Sequence, residues 1–161
     1  MLANFAKVHF GGRKNMYRIA ICDDDLVFGS LLEQYLQNFA KPHRIPIDVL
    51  VFARGEEYLE FLIEEFPVDL IFLDIQFEKG LDGVQIGKEL RADIKNEMTQ
   101  IIYISGIESY AMQLFQNRPM DFLVKPVKQE RVDHIMEEYL RLFGNRNKQY
   151  FDYNVGKTHV K

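Results

Sequence analysis

Cysteine is almost absent from this 161-residue chain: Cys22 stands alone. A lone cysteine excludes an internal disulfide and fits a reducing compartment, so a cytoplasmic location is expected. No apolar run approaches the roughly 20 residues needed to cross a bilayer, and residues 1–15 have no continuous apolar segment of signal-peptide type. The expectation is a soluble chain with no membrane partner. A basic excess is missing as well: 20 Lys and Arg face 24 Asp and Glu, a formal charge of -4, which offers no general attraction to nucleic acid. DNA binding would have to come from residues outside this sequence. Internal repeats and low-complexity stretches are also lacking. What remains, 47% hydrophobic and 27% charged, suffices for one domain with a good core and not for two large ones.

The most informative stretch is Val68-Asp-Leu-Ile-Phe-Leu-Asp74-Ile-Gln76, an apolar run of strand type that ends on a carboxylate. Around it, β-type runs alternate with amphipathic helical stripes. Tyr17 to Cys22 predicts a strand that stops at Asp23-Asp24-Asp25, and Phe28, Leu31, Leu32, Tyr35 and Phe39 predict a helix ended by Lys41-Pro42. Ile45 to Phe52 predicts a strand, and Glu57 to Phe66 a helix stopped by Pro67. After Asp74 comes a loop with two glycines and a capping Asp82, then a helix from about Gly83 burying Val84, Gly87, Leu90 and Ile94. Thr99 to Ser105 predicts strand four. A short helix with Tyr110, Leu114 and Phe115 follows, then strand five from Asp121 to Lys125, closed by Pro126. The last helix is expected from Gln129 to Phe143, with a stop at Gly144-Asn145.

Five such alternations predict an α/β fold: a five-stranded parallel sheet flanked by five helices. The expected division is a leader over residues 1–15, a domain over 16–144, and, over 145–161, a linker that enters a further strand pair.

In an open sheet of this kind the strand ends share one edge, where ligands bind. Asp23 and Asp24, Asp74, Ser105 and Lys125 would all face it. Carboxylates this close repel one another unless a cation intervenes, and Mg²⁺ prefers such oxygens. The expected ligands are Asp24 and Asp74 directly, Asp23 through water, and the backbone carbonyl of Gln76. A hydroxyl and an ammonium would complete a set for phosphoryl transfer: Asp74 as nucleophile, with Mg²⁺, Ser105 and Lys125 each on one phosphoryl oxygen. Taken singly, the residues have plainer readings. The aspartates after strand one suit a helix cap, Ser105 a turn, Lys125 a solvated loop and Cys22 strand packing. Their joint register across four strand ends favours the chemical reading.

The set Asp23-Asp24, Asp74, Ser105 and Lys125-Pro126 resembles the response-regulator receiver domain of bacterial two-component signalling, over about Tyr17 to Phe143. The resemblance implies a flavodoxin-like doubly wound sheet of strand order 2-1-3-4-5, a Mg²⁺ cofactor, and a sensor histidine kinase as phosphodonor. It implies that Asp74 is the phosphoacceptor, Ser105 and Phe122 the switch residues, and Lys125-Pro126 a cis peptide. It also implies a signalling phosphoacceptor that assists its own phosphorylation and dephosphorylation, not a multiple-turnover enzyme, with a homodimer forming on phosphorylation.

The wording Ile19-Ala-Ile-Cys-Asp-Asp-Asp25, Ser109-Tyr-Ala111, Asp121-Phe-Leu-Val-Lys-Pro126 and Tyr150-Phe-Asp-Tyr-Asn-Val-Gly-Lys157 is most similar to regulators with a LytTR-type DNA-binding domain. That likeness implies a transcriptional regulator whose output domain is truncated here. Ser105 stands where Thr is usual and Phe122 where Tyr is frequent. The alternatives are an aspartyl-phosphate phosphatase of haloacid-dehalogenase type, disfavoured by Gln76 where its acid/base Asp belongs, and a phosphate-independent interaction module. A flavin mononucleotide carrier fits the fold, but its phosphate would be repelled by Asp23-Asp24-Asp25.

Overall fold

The computed structural model describes residues 16–64 and 67–156, the backbone alone for residues 64, 110 and 145–156. The expected leader over 1–15, Phe66, and Thr158 and Val160 of the expected strand pair lie outside the described residues. Five strands alternate with helices: β1 (Tyr17–Cys22), α1 (Leu26–His43), β2 (Ile47–Phe52), α2 (Gly55–Glu64), β3 (Leu70–Asp74), α3 (Gly83–Lys88), β4 (Gln100–Ser105), β5 (Asp121–Val124) and α4 (Gln129–Gly156). A π-helical turn (Glu89–Asp93) prolongs α3, and a 3-10 helix (Glu108–Asn117) links β4 to β5. The strands are all parallel and lie in the order β2-β1-β3-β4-β5.

Strand periodicity explains how the sheet is covered on both faces. Ile19, Ile21, Leu70, Phe72, Ile102, Ile104 and Leu123 point to one face, where they meet Leu32, Leu36 and Phe39 of α1 and Val132, Ile135, Met136 and Tyr139 of α4. Ala20, Cys22, Ile71, Leu73, Ile101 and Tyr103 point to the other, against Tyr58 of α2, Ile86 and Leu90 of the α3 segment and Leu114 of the 3-10 helix. Every residue of β3 is buried, which its unbroken apolar run requires.

Several expectations about the helices change, and Leu31, expected in the α1 stripe, is 40% exposed. Pro42 does not end α1: it sits in the last turn, and Arg44 at φ 54° closes the helix with its N–H on the Lys41 carbonyl while Ile45 N–H reaches Ala40. Donors two and three residues beyond the proline thus satisfy the carbonyls of the last turn. Ile94, expected in the buried stripe, is 43% exposed. The π turn is the reason, since the Ile94 N–H bonds to Glu89 five residues back, rotating the face so that Arg91 is buried instead.

Phe115 is 69% exposed, because a 3-10 helix repeats every three residues and turns Leu114 and Asn117 inward. Gly144-Asn145 does not stop α4, which continues helically to Gly156, so the tail is not a strand up to that point. A glycine ends a helix by turning left-handed, and among the described glycines only Gly80 has a positive φ, at 82°.

Close approach positions the end of β3. The Asp82 side chain accepts the Gln85 N–H at the start of α3, and the Gln85 side chain returns to the Asp82 N–H, a capping box. This brings Gly83 N–H to 2.8 Å from the Ile75 carbonyl. A Cβ on Gly83 would lie 2.1 Å from the Asp74 carbonyl oxygen and 2.8 Å from Ile75 Cα. Neither backbone atom can swing aside, so Gly83→Ala is expected to cost about 1–3 kcal/mol in urea denaturation. An unchanged midpoint would show that the loop yields.

Candidate functional site

The register sets the site. Cys22 pairs with Leu73 and Asp74 with Ile104, so the residues just past β1 and at the end of β3 are neighbours at one edge. The ladder extends past the strands through Asp23 N–H to Phe52 at 3.0 Å, Ile75 N–H to Ile104 at 3.0 Å and Lys125 N–H to Ser105 at 2.9 Å. The backbones that carry the site are therefore held by the sheet itself.

Asp23 and Asp74 share the face of Ile21 and Phe72, and both are buried, 1% and 6% exposed. Asp24 is exposed. Carboxylate oxygens of the three lie within 4.8 Å of one another. Lys125 enters from the end of β5: its Nζ is 3.0 Å from Asp23 Oδ2 and 3.9 Å from Asp74 Oδ2, and stands 4.3 Å from the centre of the Phe28 ring. Asp25 N–H donates to Asp23 Oδ1 at 2.8 Å, while Asp25 itself caps α1 through Val27 N–H and Phe28 N–H. Of the three consecutive acids, only the last has the capping role that suited any of them.

Burial, and then the neighbouring Asp23, push the Asp74 carboxyl up to about 7, against the pull of Lys125 and the Gln76 N–H. A single ammonium thus leaves this acid cluster undercompensated. A hard divalent cation with oxygen preference fits that donor set, and Asp23, Asp24 and Asp74 are the residues that could hold it. Burial and the same acids push the Cys22 thiol up, away from the thiolate form, in keeping with a packing role.

Ser105 lies at the end of β4, paired with Val124, buried, and its Oγ accepts the Ile107 N–H at 3.0 Å. Phe122 is half-buried against the cluster on the α2 and α3 face. The Lys125-Pro126 peptide is cis. Gln76 is exposed and lines, with Ile75, Phe77, Asp82, Val84 and Gln113, a groove of about 340 Å³. The expected residues therefore collect at one edge, with Lys125 against Asp23 and Asp74.

Two participants escape sequence reading. Phe28 is a helix-stripe residue by spacing, yet its ring lies beneath the Lys125 ammonium, a contact between residues 97 positions apart that periodicity does not signal. Backbone N–H groups are the other: Glu78 N–H donates to Asp24 Oδ2 at 2.9 Å, and backbone donors leave no mark on composition.

A family model, response regulator receiver domain, matches residues 19–137. The transcriptional regulatory protein RprY of Bacteroides fragilis is 30% identical over 144 residues, 87% of this chain and 56% of that protein. The sensory transduction protein LytT of Oceanobacillus iheyensis is 34% identical over 79 residues, 49% of this chain and 32% of that protein. The chain thus spans about a third to just over half of these curated relatives. Among solved structures, the response regulatory domain of mrkE from Klebsiella pneumoniae superposes with a TM-score of 0.69 at 21% identity, covering 80% of this chain and 98% of that one. TrrA from Thermotoga maritima, solved in complex with Mg²⁺-BeF, gives 0.63 at 26% identity, covering 78% and 100%.

Proposed function

The chain belongs to the response regulator receiver family, and from that premise we propose that it takes a phosphoryl group from a sensor histidine kinase onto Asp74. The observation that carries this reading is the cluster itself: three carboxylates within 4.8 Å, two of them buried, with Lys125 against both buried ones. In the transfer, the P–N bond of a phosphohistidine breaks as a bond forms from phosphorus to an Asp74 oxygen, and the released imidazole takes up a proton. Asp23, Asp24, Asp74 and the Gln76 carbonyl would hold Mg²⁺, which supplies positive charge to the transferring phosphoryl oxygens. Lys125 supplies a second cation, and the Ser105 hydroxyl a donor, once each turns from its present partner toward the phosphoryl group. The groove lined by Gln76 and Phe77, residues that follow Asp74 in the chain, is where the donor would approach.

Output follows from the same two residues. Ser105 leads into the 3-10 helix and Lys125 follows β5, and this side presents Ile107, Met112, Phe115 and Val124 as exposed apolar residues. Their repositioning would bias the face towards a homodimer, with Phe122 acting by packing alone. Residues 145–161 are the connection to a LytTR-type DNA-binding domain that controls transcription. An exposed Gln76 offers no acid or base for phosphatase turnover. No helix among the described residues is long and apolar enough to cross a membrane.

The test is intact mass after incubation with a small phosphodonor, with and without Mg²⁺, followed by size-exclusion of the product. One phosphoryl group is expected, gained only with Mg²⁺, with an earlier elution volume. No gain under either condition would favour the phosphate-independent module, and a gain with unchanged size would remove the dimer.

A further inference from the structure

Three of the hydrogen bonds that fasten the loop between β3 and α3 bear on its position, and one of these three ends on the acid cluster. Glu78 N–H donates to Asp24 Oδ2 at 2.9 Å, and Gly83 N–H to the Ile75 carbonyl at 2.8 Å. Between them, Leu81 N–H donates to Glu56 Oε1 at 2.8 Å, a bond that reaches across from α2. Glu56 sits in the first turn of α2, and its other oxygen faces Arg54 Nε at 3.8 Å.

The fit around this carboxylate is close on both sides. Gly80 adopts φ 82°, and a Cβ there would lie 2.2 Å from Glu56 Oε1, so the loop backbone lies directly against the carboxylate. The start of α2 is set against α3 just as tightly, since a Cβ on Gly55 would be 1.9 Å from Ile86 Cδ1. Helix packing therefore fixes where Glu56 reaches. The bond to Leu81 N–H holds its carboxyl below the usual carboxylate range, so the acceptor is ionised at neutral pH.

Asp24 is exposed, unlike Asp23 and Asp74, and sits on the short turn after β1. A surface carboxylate depends on its donors for orientation, and the Glu78 N–H is delivered to it by the loop that Glu56 holds three residues further on. We propose that Glu56 is a positioning residue for the metal-binding acids: its bond to Leu81 N–H fixes the β3–α3 loop, and through Glu78 N–H the loop orients Asp24. The inference rests on reading Asp23, Asp24 and Asp74 as the Mg²⁺ site. It adds a residue on a helix that carries none of the ligands.

The test is calorimetric titration of Mg²⁺ into the native chain and two conservative variants. Glu56→Gln loses the charge and keeps an oxygen that can accept the Leu81 N–H, whereas Glu56→Asp keeps the charge and is one methylene too short. If the hydrogen bond matters, Glu56→Asp weakens Mg²⁺ binding about 10-fold, the scale on which groups behind the ligands tune a metal site, and Glu56→Gln retains most of the affinity. Equal Mg²⁺ affinity in all three proteins would overturn the proposal, even if their melting temperatures differ. So would the reverse order, which would make the charge the operative property. A native chain that takes up no Mg²⁺ would remove the reading of the acid site, and this inference with it.

Discussion

Asp74→Asn is expected to abolish phosphoryl uptake completely and, in the metal-free protein, to raise the melting temperature by about 5–10 °C. The first effect follows because the amide replaces the oxygen nucleophile with a group of nearly the same shape. The second follows from burial: Asp74 is 6% exposed and adjoins the still more deeply buried Asp23. Holding both ionised costs on the order of 2–4 kcal/mol, which a neutral amide does not incur. The sign can be checked against pH. In the unfolded chain an aspartate titrates near about 3.9, whereas burial and Asp23 push Asp74 up to about 7 in the folded protein. Between these values the folded state binds more protons than the unfolded state, so this group makes stability fall as pH rises, with no further change above pH 7 or so.

The melting gap between the variant and the native chain should therefore open between pH 4 and pH 7, stay constant above, and narrow when Mg²⁺ is added to the native chain. A variant no more stable than the native protein at pH 8 without Mg²⁺ would show that Lys125 already offsets the acids. Retained phosphoryl uptake would place the acceptor elsewhere.

The sheet was legible because its strands are buried on both faces, so β3 reads as one unbroken apolar run and Asp74 stands out at its end. Strand ends in a parallel sheet converge on one edge, which is why Asp23, Asp24, Asp74, Ser105 and Lys125 could be grouped before any coordinates. What periodicity misread were departures from the α-helical repeat. Ile94 and Phe115 look like core residues at 3.6 residues per turn, but a π turn and a 3-10 helix place them at the surface. Arg91 is the counterpart: its guanidinium is buried, donating to the carbonyls of Asn117 at 2.9 Å, Asn96 at 2.6 Å and Thr99 at 2.9 Å. Nothing in a charge-on-a-helix pattern foretells that an arginine will satisfy loop carbonyls. The Leu81–Glu56 and Glu78–Asp24 bonds were hidden for a related reason, since their donors are backbone groups whose direction is set only once the loop has closed.

Lys125→Met separates the ammonium's contact with the acids, as counter-ion, from its proposed role as phosphoryl ligand. The methionine keeps an apolar stem on the Phe28 ring, so what is lost is the charge that lies 3.0 Å from Asp23 and 3.9 Å from Asp74. Removing one partner of a buried ion pair leaves the other uncompensated, and with Lys125 28% exposed the expected cost is about 2–3 kcal/mol in the metal-free protein. Mg²⁺ should restore most of that loss, because the acids need positive charge and not this ammonium in particular. It should not restore the chemistry. A fixed cation aimed where charge develops on the transferring group is worth about 100-fold or more in rate, and on the proposed reading Lys125 would supply it. The expected outcome is a variant that melts near the native temperature in Mg²⁺ yet gains a phosphoryl group at least about 100-fold more slowly. Recovery of both in Mg²⁺ would make Lys125 a counter-ion only, while recovery of neither would make its contribution one of folding.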